Sequence, residues 1–388
     1  MSIGIIFPRG SLATQVIGSL FLLVTFYYFL REFKSIKLFS LLYLFLIYLF
    51  CLIPFSSNII YSLSNLASTT IWILILPVSF LVIDTGLKFK KLINSIAFIG
   101  VLYILNIIIS TLFNIKGKSY SGEIFDVGNV FTEGLNSMAY LLTASPLILH
   151  LNPKHKRLIL ILSVVIFILV VVQMKRISII AIVAGLVINL FMSRSRINIF
   201  YGLIISSLFM FVAYPLFENT LQKQIKARER RLSTENIEEE GRYQETFVVI
   251  DEIIFSGETR LIFFGKEVFN SPGNYANGKY GRRMIHNDYN VILHGAGLIG
   301  LMFFIFWPVP LFIFYKKIKI SAKIYFEDKK LFDYMNVTFI SFLIIGYILS
   351  ISGGVNAILF NSIRMAVLGA ILRVFFEYFK NNSKINRT

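Results

Sequence analysis

His286 stands at a boundary. Before it runs the polar stretch "KYGRR", which holds Arg282 and Arg283; after it "NDYNVILHGAGLIG" turns apolar within a few residues. A histidine at a water boundary can take up a proton near neutral pH, as a general base must. A second reading is an interfacial histidine that caps the following helix. Asn287, Asp288, Tyr289, Asn290 and His294 carry polar groups into the apolar run. On a helix that includes residue 286, His286, Asn290 and His294 recur at i, i+4 and i+8 and share one face. Asp288, two positions on, faces elsewhere, so a simple His–Asp relay is not expected.

Four more cations stand out by position. Lys175 and Arg176 lie between two apolar runs in "VVVQMKRISIIAIV". They read either as snorkelling interfacial side chains or as an anion site at a helix start, where the free N–H groups and the dipole favour negative charge. Arg242, in "EEEGRYQETF", reads either as a solvated partner of Glu238, Glu239 or Glu245, or as a guanidinium fork for phosphate oxygens. Arg364 falls within the last apolar run, where a charge must face a cavity or partner, which makes it a further candidate for an anion contact.

Other chemistry is excluded by pattern. Gly295-Ala-Gly297-Leu-Ile-Gly300 spells G-x-G-x-x-G, but no preceding strand or βαβ context accompanies it, and close helix packing explains it better. There is no D-x-D, no H-x-x-x-H and no dense carboxylate group, so neither a metal nor another cofactor is expected. Asp126 and Glu123 read as solvated. The single cysteine, Cys51, lies in an apolar run and rules out a disulfide.

The elements that must position these residues are membrane helices. The 388 residues are 56% hydrophobic and only 15% charged, with mean hydropathy +0.73. Apolar runs of membrane-crossing length recur, and the alternation of a β-barrel is absent. The expected fold is an all-α, polytopic bundle of about eleven transmembrane helices, ten to twelve, at 12–30, 38–55, 62–85, 92–114, 134–151, 158–174, 177–193, 197–217, 288–315, 331–352 and 358–378. The first of these lacks a small-residue cleavage site and reads as a span rather than a cleaved signal.

The net charge of +17 belongs to one set of loops. Arg31, Lys34 and Lys37, Lys88, Lys90 and Lys91, Lys154, Lys156 and Arg157, Arg194 and Arg196, six lysines from Lys316 to Lys330, and Lys380, Lys384 and Arg387 alternate with short connections that hold only Arg9, Lys116, Lys118, Lys175 and Arg176. The positive-inside rule makes that set cytoplasmic, with the C-terminus inside, and nucleic acid is not an expected partner. The chain divides into an N-terminal bundle (1–217), a large outer loop (218–287) and a C-terminal bundle (288–388). The loop holds eleven Lys or Arg and about as many acids, so individual arginines matter more than its sum. Phe247, Ile250, Ile253 and Ile254 predict an amphipathic helix ended by Gly257, followed by a short apolar stretch and a turn-rich hairpin or flap.

"HNDYNVILHGAGLIGLMFFIF" resembles the His-Asn, then Gly-Leu-Ile-Gly-Leu segment of the O-antigen polymerase and O-antigen ligase superfamily. "GRYQETFVVIDEI" and "LIFFGKEVF" are similar to its Gly-Arg helix and apolar-Gly turn. "QMKRISIIAIV" resembles its Ser-Arg-Gly helix start, with Lys175 and Ser178 departing from the pattern, and "EGLNSMAYLLTA" weakly resembles its Asn-x-x-Ala helix start. The likeness covers roughly residues 130–315. It implies a GT-C-like fold of roughly twelve spans in the bacterial inner membrane. It also implies metal-independent, inverting transfer of a glycan from undecaprenyl pyrophosphate at the periplasmic face. Expected partners are that lipid-linked donor, a glycan acceptor, the bilayer and other polysaccharide-assembly proteins such as a chain-length regulator. In such a site His286 is the base, Arg176 and Arg242 with Lys175 hold the pyrophosphate, and Arg282, Arg283 or Arg364 supplies a further anion contact. Polymerase and ligase share this donor chemistry and differ in acceptor. Transport of a lipid-linked sugar is a third reading, against which stand the lack of repeated halves and the long outer loop.

Overall fold

The computed structural model describes residues 38–113, 134–172, 176–192, 241–281, 283–355 and 357–385, with isolated positions from 20 to 30 and at 218 and 222. Most of the expected span 12–30, all of 197–217, and Lys175, Arg282, Glu123 and Asp126 lie outside these residues, as does the Arg242 side chain. Among the described residues all regular structure is helical. The α-helices are α1 (Ser40–Leu52), α2 (Ile59–Val82), α3 (Gly86–Leu112), α4 (Gly134–Leu151), α5 (Lys156–Val172), α6 (Arg176–Met192), α7 (Gly241–Ile253), α8 (Thr259–Phe264), α9 (Asp288–Phe306), α10 (Pro308–Tyr325), α11 (Lys329–Ser350) and α12 (Ile358–Ile385).

Local chemistry sets several of these starts. Asn58, Thr85, Asn287 and Asp328 each accept a backbone N–H from the first turn of α2, α3, α9 and α11, at 3.0, 3.3, 3.0 and 2.9 Å. Such caps satisfy donors that a helix start otherwise leaves unpaired. Among the described residues four stretches are long and apolar enough to cross a membrane: α2, α3, the path Asp288–Ile324 through α9 and α10, and α11. The chain is therefore a helical membrane protein, and these four spans stand where about eleven are expected.

The centre of the bundle is α12. Residues 360–372 are buried on every face, as expected of a helix enclosed by others. It packs along α2, where the Ser79 hydroxyl donates to Ala366 O at 2.6 Å and the Trp72 indole N–H donates to Val355 O at 2.7 Å. Small residues let backbones approach, the main packing device inside membranes. A Cβ on Gly369 would lie 2.3 Å from Leu76 O, and one on Gly185 of α6 would lie 2.2 Å from the Thr143 hydroxyl of α4.

These contacts define two ends. At one, Asp288 at the start of α9 meets the turn between α11 and α12, and Ser178 near the start of α6 donates to Asn136 near the start of α4 at 2.9 Å. At the other, His150 at the end of α4 meets Asp328 before α11 at 2.7 Å, and Asn152 meets Asn94 of α3 at 2.7 Å. Among the described residues, the connections around Lys88 to Lys91, Lys154 to Arg157 and Lys323 to Lys330 lie at the second end, and the segment 241–281 with 283–287 lies at the first.

That segment departs from expectation in two respects. Helix α7 stops at Ile253, four residues before Gly257. Its apolar face carries buried Val249 and Ile253, with Ile250 and Ile254 packed at its edge as expected, whereas Phe247 is 55% exposed. The apolar stretch after it forms α8, and the turn-rich part holds turns and a 3-10 turn at Ala276–Gly278 but no strand pair, with Gly265, Phe269, Gly273, Ala276 and Asn277 all at positive φ.

Candidate functional site

The site is built where α7, the loop 265–287 and the start of α9 meet. A small core of Val249, Ile253, Tyr275, Ile285 and Leu293 seats α7 on α9. The Asn290 amide adds a hydrogen bond to the Thr246 hydroxyl at 2.8 Å. This packing buries Glu245 of α7, whose side chain is 1% exposed, directly against His286.

Glu245 holds His286 by two atoms. Its Oε1 accepts the His286 backbone N–H at 2.7 Å, and its Oε2 faces ring Nδ1 at 3.4 Å. Arg283 closes the group, with Nη2 3.6 Å from Glu245 Oε2 and Nε 3.4 Å from His286 Nδ1. Nδ1 can donate to Glu245 or accept from Arg283, but not both at once, so the pair of contacts serves both states of the ring. With the proton on Nδ1 directed to the carboxylate, the proton-accepting atom is Nε2. The ring is 24% exposed and Arg283 is 35% exposed, so the charged group borders solvent while its carboxylate does not. Arg283 also lies over the Tyr280 ring, which stacks on Tyr275 at 5.4 Å. Burial pushes the Tyr275 hydroxyl up to about 12, so that ring stays neutral.

His286 does not belong to α9. Asn287 is the capping residue, so His286 lies outside the helix and the expected shared face with Asn290 and His294 does not form. Its main chain is held from the other side by the turn after α11. Gly353, at φ 82°, packs so close that a Cβ there would stand 1.6 Å from His286 O. Asp288 fastens the same turn. Its Oδ1 accepts the N–H groups of Gly354 and Val355 at 2.6 and 2.7 Å. Tyr289 donates to Tyr347 O at 3.0 Å.

The remaining candidates have separate settings. Arg176 is exposed at the first residue of α6, and Arg242 is the second residue of α7. Arg364 is 4% exposed inside the bundle, with Trp307 and Tyr347 at 5.2 and 5.6 Å, and its guanidinium fills the space that a side chain on Gly346 would take. Its Nε and Nη2 lack a hydrogen-bond partner. His294 is 1% exposed, 4.0 Å from Glu252, and its Nε2 lacks a partner as do Glu252 Oε2 and the Tyr275 hydroxyl. Buried polar atoms of this kind are normally satisfied by ordered water.

The glycine motif serves close helix packing, as expected, and also breaks its own helix. Gly297, at φ 63°, breaks α9, and a Cβ there would stand 2.4 Å from Phe263 O. A Cβ on Gly295 would stand 3.0 Å from Glu267 O. Gly297 thus admits the backbone of the short helix α8, Gly295 that of the residues after it, and a Cβ on Gly300 would stand 3.4 Å from the Tyr48 ring of α1. The break frees Ala296 O, which accepts the Tyr48 hydroxyl of α1 at 2.7 Å.

Glu245, Gly353 and Tyr48 are the residues that sequence reasoning did not single out for these roles. An apolar groove between α3 and α12, lined by Leu92, Ile96, Ile99 and Ile363, has no titratable side chain. No group of metal-binding side chains occurs among the described residues. No protein-family model and no curated protein matches the chain, so its functional reading rests on these contacts.

Proposed function

We propose that the chain is an inverting membrane glycosyltransferase that joins undecaprenyl-pyrophosphate-linked oligosaccharide repeat units, of O-antigen or capsule type, at the periplasmic face of the bacterial inner membrane. The observation that carries this reading is the Glu245–His286–Arg283 group at the lysine-poor end of the bundle. Glycosyl transfer to a hydroxyl needs a base to remove the acceptor proton and cations where the leaving diphosphate gains charge. His286 Nε2 is assigned the proton, Glu245 steadies the imidazolium, and Arg283 is assigned a phosphate oxygen. The acceptor oxygen attacks the anomeric carbon as the bond to the lipid pyrophosphate breaks, so configuration inverts. Arg176, Arg242, Lys175, Arg282 and Arg364 are assigned to the same anion or its approach. The starts of α2, α4, α6, α9 and α12 lie at this end, and helix starts favour anions.

The test is purified protein in phospholipid nanodiscs, supplied with lipid-linked repeat units. Chain extension with release of undecaprenyl pyrophosphate is the expected result. Transfer only when lipid A core is added replaces the polymerase with a ligase of the same donor chemistry. Vectorial movement of the intact donor without bond cleavage overturns the enzyme reading.

A further inference from the structure

The segment between α7 and the site carries large apolar side chains that the protein leaves uncovered. Phe255, Phe263 and Phe264 are 74%, 43% and 45% exposed. In a loop standing in water this would be a costly surface. The contacts of α8 put it elsewhere. The Tyr48 hydroxyl donates to Phe263 O at 3.2 Å as well as to Ala296 O. Tyr48 lies four residues inside the end of α1, roughly 6 Å below it at the helical rise, and helical side chains lean towards the N-terminus, further from that end. The end of α8 is thus level with the interior of α1, not above it.

The other end of α8 is level with the end of α1. The Arg260 guanidinium lies over the Phe55 ring at 5.7 Å, in the turn that follows the helix. The order from rim to depth is therefore guanidinium first and paired phenylalanines below. The two helices that α8 packs on also expose large apolar side chains, Leu44, Ile47 and Phe50 of α1 at 50%, 57% and 46%, and Met302 and Ile305 of α9 at 58% and 38%. On the helices of a membrane protein, uncovered apolar faces of this kind suit acyl chains. Aromatic rings below a cation are the arrangement that suits a bilayer interface.

We propose that residues 255–264 are a membrane-embedded element, with Phe263 and Phe264 among the phospholipid acyl chains and Arg260 at the headgroup phosphates. The large loop does not stand clear of the membrane; it dips in and returns through Gly265. This fixes the level of Glu245 and His286, which flank the dip in sequence, close to the headgroups. The inference does not depend on the glycosyltransferase reading, and its test uses no sugar.

Nitroxide labelling decides it. The sole native thiol is removed by Cys51→Ser, and Phe264→Cys is labelled in the full chain in nanodiscs of phospholipid alone. Leu44→Cys serves as the lipid reference and Lys279→Cys as the water reference. Phe264→Cys is expected to match Leu44→Cys, with collisions dominated by oxygen over a water-soluble nickel chelate. Phe255→Cys reads the same segment from its other end and serves if the first variant folds poorly. Chelate-dominated collisions, matching Lys279→Cys, overturn the proposal. Chelate access that is lost only on adding a polyprenyl phosphate also overturns it, in favour of a substrate tail as occupant. Protection from both probes overturns it in favour of a covering protein.

Discussion

Glu245 grips His286 at two points, the backbone N–H at 2.7 Å and ring Nδ1 at 3.4 Å, across 41 residues of sequence. One carboxylate thereby fixes both where the histidine sits and how its ring turns. The two functions separate by substitution. Glu245→Gln keeps an acceptor for the backbone N–H but removes the negative charge that stabilises the imidazolium. Glu245→Ala removes both. His286→Ala is expected to lower turnover about 10²- to 10⁴-fold, the usual worth of a positioned base. Glu245→Gln is expected to fall between that and wild type with normal protein levels, and Glu245→Ala to lose protein as well. Steady-state kinetics of the three in nanodiscs check this; wild-type turnover in His286→Ala removes the base role.

Asp288 is next to the site and yet predicts differently. Its carboxylate is occupied by the Gly354 and Val355 N–H groups, so its task is to fasten the turn after α11. Asn retains an accepting oxygen, and Ala leaves two buried donors unpaired at about 1–3 kcal/mol each. Asp288→Asn is expected to keep activity with modest loss of thermal stability, and Asp288→Ala to lower the unfolding temperature strongly. A collapse of turnover in a well-folded Asp288→Asn moves Asp288 from scaffold to chemistry.

Gly353→Ala tests the other side of the His286 main chain. The substitution adds a Cβ where His286 O already lies at 1.6 Å, at a backbone angle that only glycine takes freely. The expected cost exceeds about 1 kcal/mol and the displacement falls on His286 itself. Lowered turnover with unchanged donor binding is the predicted signature. An equal loss of binding and turnover points instead to general unfolding.

Parts of this were legible in sequence and parts were not. Helix positions were legible because apolar runs and caps are local signals: the expected run 62–85 corresponds to Ile59–Val82, and 134–151 to Gly134–Leu151. The polar-to-apolar switch at His286 likewise marks the start of α9. The helix face shared by His286, Asn290 and His294 failed because Asn287 captures the cap and leaves His286 outside. The links from Glu245 to His286, from Asp288 to Gly354 and from Tyr48 to Ala296 span 41, 66 and 248 residues. No periodicity encodes such pairs; packing alone creates them. Gly297 was visible as a small residue, but its positive φ, and hence the break that admits α8, is a backbone property without a sequence pattern.

The opposite end of the bundle offers a pH test. Asp328 caps α11 through Leu331 N–H and meets His150 Nε2 at 2.7 Å. Burial works against its charge, but the Leu331 N–H and His150 outweigh that effect and hold its carboxyl below the usual value. A lowered folded value means stability that is present above the ordinary carboxylate pKa, about 4, and lost as pH falls through the lowered one. Asp328→Asn is therefore expected to be less stable than wild type near neutrality and to converge with it at acid pH, so that the acid limb of the stability profile flattens, read by thermal unfolding in detergent. An unchanged acid limb excludes Asp328 from that linkage.

Tyr48 joins three elements through one hydroxyl, whose single proton is shared between Ala296 O at 2.7 Å and Phe263 O at 3.2 Å. Tyr48→Phe keeps the ring against Phe303 and deletes only the donor. The carbonyl freed at the Gly297 break then has no protein donor from α1, a loss of about 1–3 kcal/mol where it is shielded from water. The loss is local, so hydrogen exchange is the sensitive measurement. Faster exchange is expected in 259–268 and 294–299, with α2 and α12 unaffected, because neither packs on the break. If exchange rises throughout the bundle instead, Tyr48 supports the whole fold rather than the seat of α8. If it rises nowhere, Gly297 and the Phe263 backbone hold that seat without the hydroxyl.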